Sequence, residues 1–312
     1  MPRYGPPDPF ETPRFSGPRT FMRLPYVRDL EGVDVAVIGI PMDGAQVYRT
    51  GSRFGPEGIR SVSVLLRNYN PILAVNVVER LSLVDYGDVP TVPGSTVDSL
   101  ERAAAAIEEV ARAGVATLCL GGDHTVLLAE LRALAAVHGP LALIQLDAHH
   151  DLWDEYFGQK IFHGSVVRRA VEEGLIDTGR SIQAGLRGSL AEAGDALMPA
   201  SLGIDALSSE ELLALGPGRF SMRVRDRVGD GPCFLSFDVD FVDPAFAPGT
   251  GTPEVGGPSS REALTFVRSL AGLDFRGFDC VEVSPPFDPA GVTSLLAANA
   301  CFEMLSLLAL GR

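Results

Sequence analysis

Asp147-Ala148-His149-His150-Asp151 follows directly on the apolar run Leu141–Leu146. Carboxylates and imidazoles at alternate positions after a buried strand are costly to desolvate unless a cation sits among them. In an extended backbone, residues two apart point the same way, so Asp147, His149 and Asp151 are expected to converge. His150 then faces the other side, as pocket wall or in support of the ligands. The pattern recurs at Asp238-Val239-Asp240, after Cys233–Phe237, where Asp238 and Asp240 share a face. A third cluster, Gly121-Gly122-Asp123-His124-Thr125, follows another apolar run and precedes a helical pattern. Its paired glycines permit a tight turn that lets His124 lean over the strand ends. Alone, GGDHT is a common glycine turn with one histidine. DxHxD after so apolar a run is harder to read as a solvated loop.

Together His124, Asp147, His149, Asp151, Asp238 and Asp240 offer four carboxylates and two imidazoles. That set is too rich in oxygen for a closed tetrahedral zinc site, and no thiolate is placed to help. It suits Mn²⁺, with Ni²⁺, Co²⁺ and Fe²⁺ behind. Six ligands can hold two ions if some carboxylates bridge, and two ions about 3.5 Å apart lower the pKa of a shared water. Two more residues stand out. His163, in Phe162-His163-Gly164, is by itself an ordinary loop histidine. Glu282, expected within a buried strand, needs a cationic partner, either a ligand guanidinium or one of the protein's own arginines. Asp243, before Pro244, reads as turn chemistry.

Short apolar runs predict strands at Asp34–Pro41, Leu81–Asp85, Ala116–Leu120, Leu141–Leu146, Ser181–Leu186, Cys233–Phe237 and Gly277–Val283. Helical patterns lie between them at Pro56–Asn68, Val97–Ala113, Val126–His138, Val166–Gly174, Ser209–Leu215, Ser260–Leu270 and Val292–Leu310, with Ser259 and Glu262 as a capping box. The alternation implies an α/β fold, a doubly wound and mostly parallel sheet with helices on both faces. Ligands bind such sheets at the carboxyl ends of the strands, where the polar clusters fall. Residues 1–30, rich in proline and aromatics, read as an irregular arm laid on the domain or on a neighbour; residues 31–312 form the domain that carries the chemistry.

The net charge is −14, from 26 Lys+Arg against 40 Asp+Glu. No basic stripe with interleaved aromatics occurs, which argues against nucleic acid as a partner. The N-terminus has no signal-peptide core, and no apolar run is expected to approach the roughly 20 residues of a membrane span. The four cysteines, Cys119, Cys233, Cys280 and Cys301, show no CxxC spacing and read as reduced core thiols. The expectation is a soluble, cytoplasmic protein.

GGDHT, DAHHD and SFDVDFVDPAFAPGTGTPEVGG resemble, in order, the signature segments of the ureohydrolases: arginases, agmatinases and related guanidino-acid hydrolases. The stretch Asp243–Gly251 is most similar to the agmatinase branch. The resemblance spans residues 33–310 and implies a three-layer αβα sandwich with a central, mostly parallel sheet. It implies two manganese ions per subunit and no organic cofactor. His124, Asp147, Asp151 and Asp238 would hold one ion; Asp147, His149, Asp238 and Asp240 would hold the other, with Asp147 and Asp238 bridging. Attack of a metal-activated hydroxide on a guanidinium carbon would release urea. In that scheme Glu282 binds the guanidinium, Asp151 hydrogen-bonds the tetrahedral intermediate, and His163 relays a proton to the departing amine. The partners expected are a small guanidino substrate and further copies of the chain, in trimers or hexamers.

Agmatine, yielding putrescine and urea, is the expected substrate, in keeping with the acidic charge and with Asp154 and Glu155. 4-Guanidinobutanoate or 3-guanidinopropanoate is the alternative, with Lys160 or Arg49 meeting the carboxylate. Arginine ranks lower. The segments Leu152–Phe162 and Met42–Thr50 are expected to shape the tail pocket. Departures from the agmatinase pattern, Ser165-Val166-Val167 after His163-Gly164, Thr50 in place of proline, and Leu152, bear on the tail and leave the ligands intact. A metal-dependent deacetylase and a non-catalytic homologue are more distant readings. The first would not need both Asp238 and Asp240; the second predicts lost ligands, and none is lost.

Overall fold

Eight short segments assemble one sheet: β1 Val35–Gly39, β2 Leu83–Asp88, β3 Ala116–Leu120, β4 Ala142–Leu146, β5 Ile182–Leu186, β6 Asp205–Ser208, β7 Cys233–Asp238 and β8 Phe275–Val281. They lie in the spatial order β2-β1-β3-β8-β7-β4-β5-β6, and every adjacent pair is parallel. The computed structural model describes residues 2–312. Strands covered on both faces must be apolar throughout, and alternate side chains feed opposite cores. In β1, Val35 and Val37 enter one cluster while Ala36 and Ile38 enter the other.

Helices α1 Gly55–Ser63, α2 Thr96–Arg112, α3 Val126–His138, α4 Val166–Glu172, α5 Ser209–Val228, α6 Ser260–Ser269 and α7 Val292–Leu310 complete the layers. The first core holds α1, α5, α6 and α7 against one face of the sheet; the second holds α2, α3 and α4 against the other. This is the three-layer αβα sandwich expected. The Ser259–Glu262 capping box opens α6 as read from sequence, and Ser208 with Glu211 forms another at α5.

Several boundaries differ from expectation. Helix α5 runs on to Val228, across a kink at Gly216-Pro217 where Gly216 takes φ +71. Helix α1 stops at Ser63, and the chain then forms a small hairpin, Tyr69–Asn70 against Val75–Asn76. Strand β6 has only four residues and no apolar run to announce it. Helix α7 corrects the reading that no run approaches a membrane span: within its 19 residues an 18-residue window has a mean hydropathy of 1.6. It is a core helix, with 78% of that window buried, and its one acid, Glu303, accepts hydrogen bonds from Arg268 and Asn70.

Part of the N-terminal arm docks on the domain. Phe21, Met22 and Leu24 are buried, and Tyr26 bridges to Asp85 on the edge strand β2. The Phe21 N–H donates to Asp85 Oδ2 at 2.7 Å. A covered edge cannot recruit another strand.

Candidate metal centre

The predicted ligands meet at the carboxyl ends of β3, β4 and β7, but not by strand alternation. Strand β4 ends at Leu146, and the following loop turns back so that the His149 N–H donates to Asp147 Oδ1 at 2.6 Å. Asp151 sits at φ +52, a left-handed conformation held because its carbonyl accepts the Val167 and Arg168 N–H groups at the start of α4. After β7 the chain enters a short 3₁₀ turn in which the Asp240 N–H donates to Asp238 Oδ1 at 2.8 Å. The convergence expected from an extended backbone is therefore produced by turns. Glu282 is corrected likewise: it lies just past β8, at φ +63, with its N–H donating to the Gly122 carbonyl. Non-glycine residues at such angles cost roughly 1–3 kcal/mol each, and two of this protein's few fall in the site.

Three carboxylate oxygens surround the His124 Nδ1 atom: Asp151 Oδ2 at 2.9 Å, Asp147 Oδ2 at 3.1 Å and Asp238 Oδ2 at 3.3 Å. The same nitrogen makes no hydrogen bond of acceptable geometry and is fully buried. Beside it, His149 Nδ1 lies 3.1 Å from Asp240 Oδ2 and 3.6 Å from Asp147 Oδ1. Asp147 thus offers one oxygen to each group and is placed to bridge. Asp238 stands on the His124 side, its other oxygen taken by the Asp240 N–H. Buried carboxylates around a nitrogen without a hydrogen bond form a donor set that fits divalent cations.

Electrostatics agree. Burial, reinforced by the charges of Asp240 and Asp147, pushes the Asp238 carboxyl well above the usual range. Burial also raises Asp240, whereas Asp147 is held low against its own burial by the two imidazoles. Burial works against a charge on His124 and His149, yet the facing carboxylates raise both rings well above the usual range, and two imidazolium charges still leave four acids under-compensated. The GGDHT turn is built for this corner: a Cβ at Gly122 would lie 1.7 Å from the Met42 carbonyl oxygen. Asp123 is not a ligand; it accepts the Ala45 and Thr125 N–H groups and so ties the 42–45 loop to the site.

His163 and Glu282 come together, with His163 Nδ1 3.1 Å from Glu282 Oε1. Burial lowers the His163 pKa, but the Glu282 charge outweighs it and raises the ring to about 9. On the other side the Val47 N–H points at Nε2 from 3.3 Å, which favours a bare nitrogen. A ring under both influences can carry a proton and give it up. Glu282 is otherwise committed within the site: Oε1 accepts the His124 N–H and Oε2 accepts Gln46 Nε2 at 2.5 Å. The Gln46 Oε1 atom beside it is buried without a partner.

A cavity of about 490 Å³ opens over the ligands. Trp153, Phe162, Leu186, Leu190 and Pro199 give it apolar walls, and His150, Arg187 and Glu254 add polar ones. His150 is thus pocket wall. Its Nδ1 accepts the Leu152 N–H, and burial lowers its pKa. The proposed tail contacts of the substrate are not in the lining. Lys160 lies 3.7 Å from Asp154, which Arg169 also holds at 2.6 Å. Arg49 stacks over Phe287 and Tyr48. Of the two segments expected to shape the pocket, Val47, Trp153 and Phe162 line it, together with Asp151 and His163 beside them. Sequence reasoning missed Gln46, Arg187 and Glu254. For Glu254 the TPEVGG segment was a signal, and for Gln46 its place in Met42–Thr50; for Arg187 there was none.

Carboxylates and imidazoles gathered at the strand ends of an open parallel sheet are what a metal-dependent enzyme of the α/β class requires. The sequence profile of the arginase family matches residues 33–306. The chain belongs to the arginase family and is an amidinohydrolase. It is 45% identical to the guanidinopropionase of Pseudomonas aeruginosa, over 97% of this chain and 95% of that one. It is 40% identical to the mitochondrial agmatinase of Gallus gallus, over 93% and 85% respectively. The solved proclavaminate amidino hydrolase from Streptomyces clavuligerus superposes with a TM-score of 0.91 at 39% identity, covering 96% of this chain and all of that one. The arginase family acts on small guanidino substrates and depends on two metal ions.

Proposed function

We propose that the chain hydrolyses agmatine to putrescine and urea at a pair of manganese ions held by His124, Asp147, His149, Asp151, Asp238 and Asp240. The observation that carries the metal reading is the fully buried His124 nitrogen ringed by three carboxylate oxygens. When bound, the ions supply Lewis-acid polarisation and hydroxide near neutral pH. Glu282 and the Gln46 amide beside it offer a planar array of acceptors to a guanidinium, which would take the place of the Gln46 N–H on Oε2. Asp151 would hydrogen-bond the tetrahedral intermediate. His163, loaded with a proton by Glu282, delivers it to the departing amine.

The pocket wall supports an amine tail. Arg187 carries the lining's one guanidinium among the described residues, and its N–H groups all point at main-chain carbonyls of Gly185, Asp240, Phe241 and Glu254. It has no donor left for a carboxylate. The Glu254 side chain stands ready for an ammonium. The name of the guanidinopropionase relative favours a second reading, a short guanidino acid. Urea release from agmatine, 3-guanidinopropanoate, 4-guanidinobutanoate and arginine, with the manganese-loaded protein, separates the two. Turnover of a guanidino acid in preference to agmatine replaces the amine reading. No urea from any substrate, with both ions bound, sinks the proposal as a whole. A cytoplasmic location and assembly into trimers or hexamers belong to the same proposal; the four buried free thiols support a reducing compartment.

A further inference from the structure

Behind the metal centre runs a second buried chain of polar groups that the proposed reaction does not use. His124 Nε2 lies 2.9 Å from Ser236 Oγ on β7, and Ser236 Oγ lies 2.8 and 3.0 Å from the two oxygens of Asp279 on β8. The Phe237 N–H also donates to Asp279 Oδ1, at 3.0 Å. Next to Asp279 stands Glu130, in the middle of the apolar helix α3, with no exposed surface and with both carboxyl oxygens lacking a donor. Cys119 on β3 is its other polar neighbour.

The donors decide where the charge sits. Asp279 receives a hydroxyl and a main-chain N–H, so it is the anion. Glu130 receives nothing, and burial beside Asp279 pushes its carboxyl well up. Two abutting buried carboxylates cannot both be ionised; the one without donors keeps the proton and gives it to the other. If Nδ1 faces a cation, Nε2 bears hydrogen, so every link has one sense: Glu130 O–H to Asp279, Ser236 O–H to Asp279, His124 Nε2–H to Ser236.

We infer that Glu130, as a carboxylic acid donating to Asp279, is a positioning residue that sets how tightly the His124 side of the centre holds its ion. The inference rests on the reading of His124 as a ligand. Groups behind a metal-binding histidine fix its tautomer and ring orientation, and their loss typically weakens binding about 10- to 100-fold. Without the Glu130 proton Asp279 is an uncompensated buried anion. It then takes up a proton itself and accepts from Ser236 only as a neutral carboxyl, without charge assistance, which weakens the anchor of the Nε2–H chain.

Manganese titration of the apoprotein, with free Mn²⁺ followed by electron paramagnetic resonance, tests this in the full chain. E130L is expected to weaken one of the two ions about 10- to 100-fold and to leave the other near wild type. E130Q, whose amide still donates to Asp279, is expected to stay near wild type. Infrared difference spectra of manganese-loaded wild type minus each variant, in which the ligand carboxylates are ionised, should show the carbonyl band of a buried protonated carboxyl that both variants lack. Should E130L not fold, S236A breaks the same chain with a smaller change and should give the same one-site loss. Two ions bound as in wild type by E130L or by S236A overturn the inference, as does E130Q behaving like E130L or an absent band. Wild-type protein that binds no manganese overturns instead the ligand reading beneath it.

Discussion

Two buried clusters of charge sit at the sheet, and they differ in whether the protein supplies its own cation. At the edge strand β2, the Arg60 guanidinium of α1 forks onto Asp85, with Nε to Oδ2 at 2.8 Å and Nη2 to Oδ1 at 2.9 Å, and reaches Asp88 at 2.5 Å. Main-chain N–H groups of Phe21 and Gly87 complete Asp85. At β4 and β7, Asp147, Asp151, Asp238 and Asp240 face two imidazoles and, among the described residues, form no ion pair with an arginine or lysine; the nearby Arg187 spends its N–H groups on main-chain carbonyls. The first cluster is finished when the chain folds. The second is finished only by something that arrives from solution. Buried acids mark a functional site when their counterion is missing, not merely because they are buried.

The largest effect should come from the residue common to both halves of the centre. D147N removes the carboxylate that offers an oxygen to each histidine group. We expect kcat/KM for urea release to fall more than about 10³-fold, some 4 kcal/mol of transition-state stabilisation, with both ions held more weakly by elemental analysis. Retained activity with two bound ions would erase the distinction between the clusters. R60M probes the other side. It strands Asp85 without its fork and should lower the unfolding free energy by about 3–5 kcal/mol in urea titrations. Strand β2 lies two spacings from β3, which leads to His124, and four from β7, roughly 10 and 19 Å, and shares no partner with the ligands, so metal binding should not change.

The difference also explains what the sequence made legible. Strands covered on both faces write themselves as apolar runs, which is why seven of the eight could be read; β6, Asp205–Ser208, has one buried residue in four and could not. The six ligands were legible because acids following an apolar run have no ordinary explanation. How they converge was not, since the turns at Asp151 and Asp240 depend on distant partners such as the start of α4. The internally balanced cluster was invisible: Arg60, Asp85 and Asp88 are unremarkable residue types that become a unit only through tertiary contact. Glu130 and Asp279 were readable in principle, each a lone acid inside an apolar element, but their partners were not.

Removing the metal should matter for stability in the second cluster's favour only while ions are present. For ions at 100 times their dissociation constant, chelation is expected to cost about 2.7 kcal/mol per site, read as a fall in Tm. The R60M loss should persist unchanged with or without chelator. A chelator effect that vanishes in R60M would tie the two clusters together and break the comparison.

The smallest effect is the most discriminating, because its sign must reverse. Asp238 is the ligand whose anion the apoprotein tolerates least: it is buried, and Asp240 and Asp147 crowd it with like charge. Asn keeps the oxygen that accepts the Asp240 N–H and discards the charge. In chelated protein D238N should therefore raise the unfolding free energy, by about 1 kcal/mol, as relief of a buried unpaired charge does. In manganese-loaded protein the same substitution removes a ligand from the His124 side and should lower stability relative to wild type. No such crossover is available to Asp85, where the counterion is built in: D85N should destabilise with or without metal. A D238N variant less stable than wild type in chelator would mean that the fold already compensates these acids, and the case for a site completed from solution would fail with it.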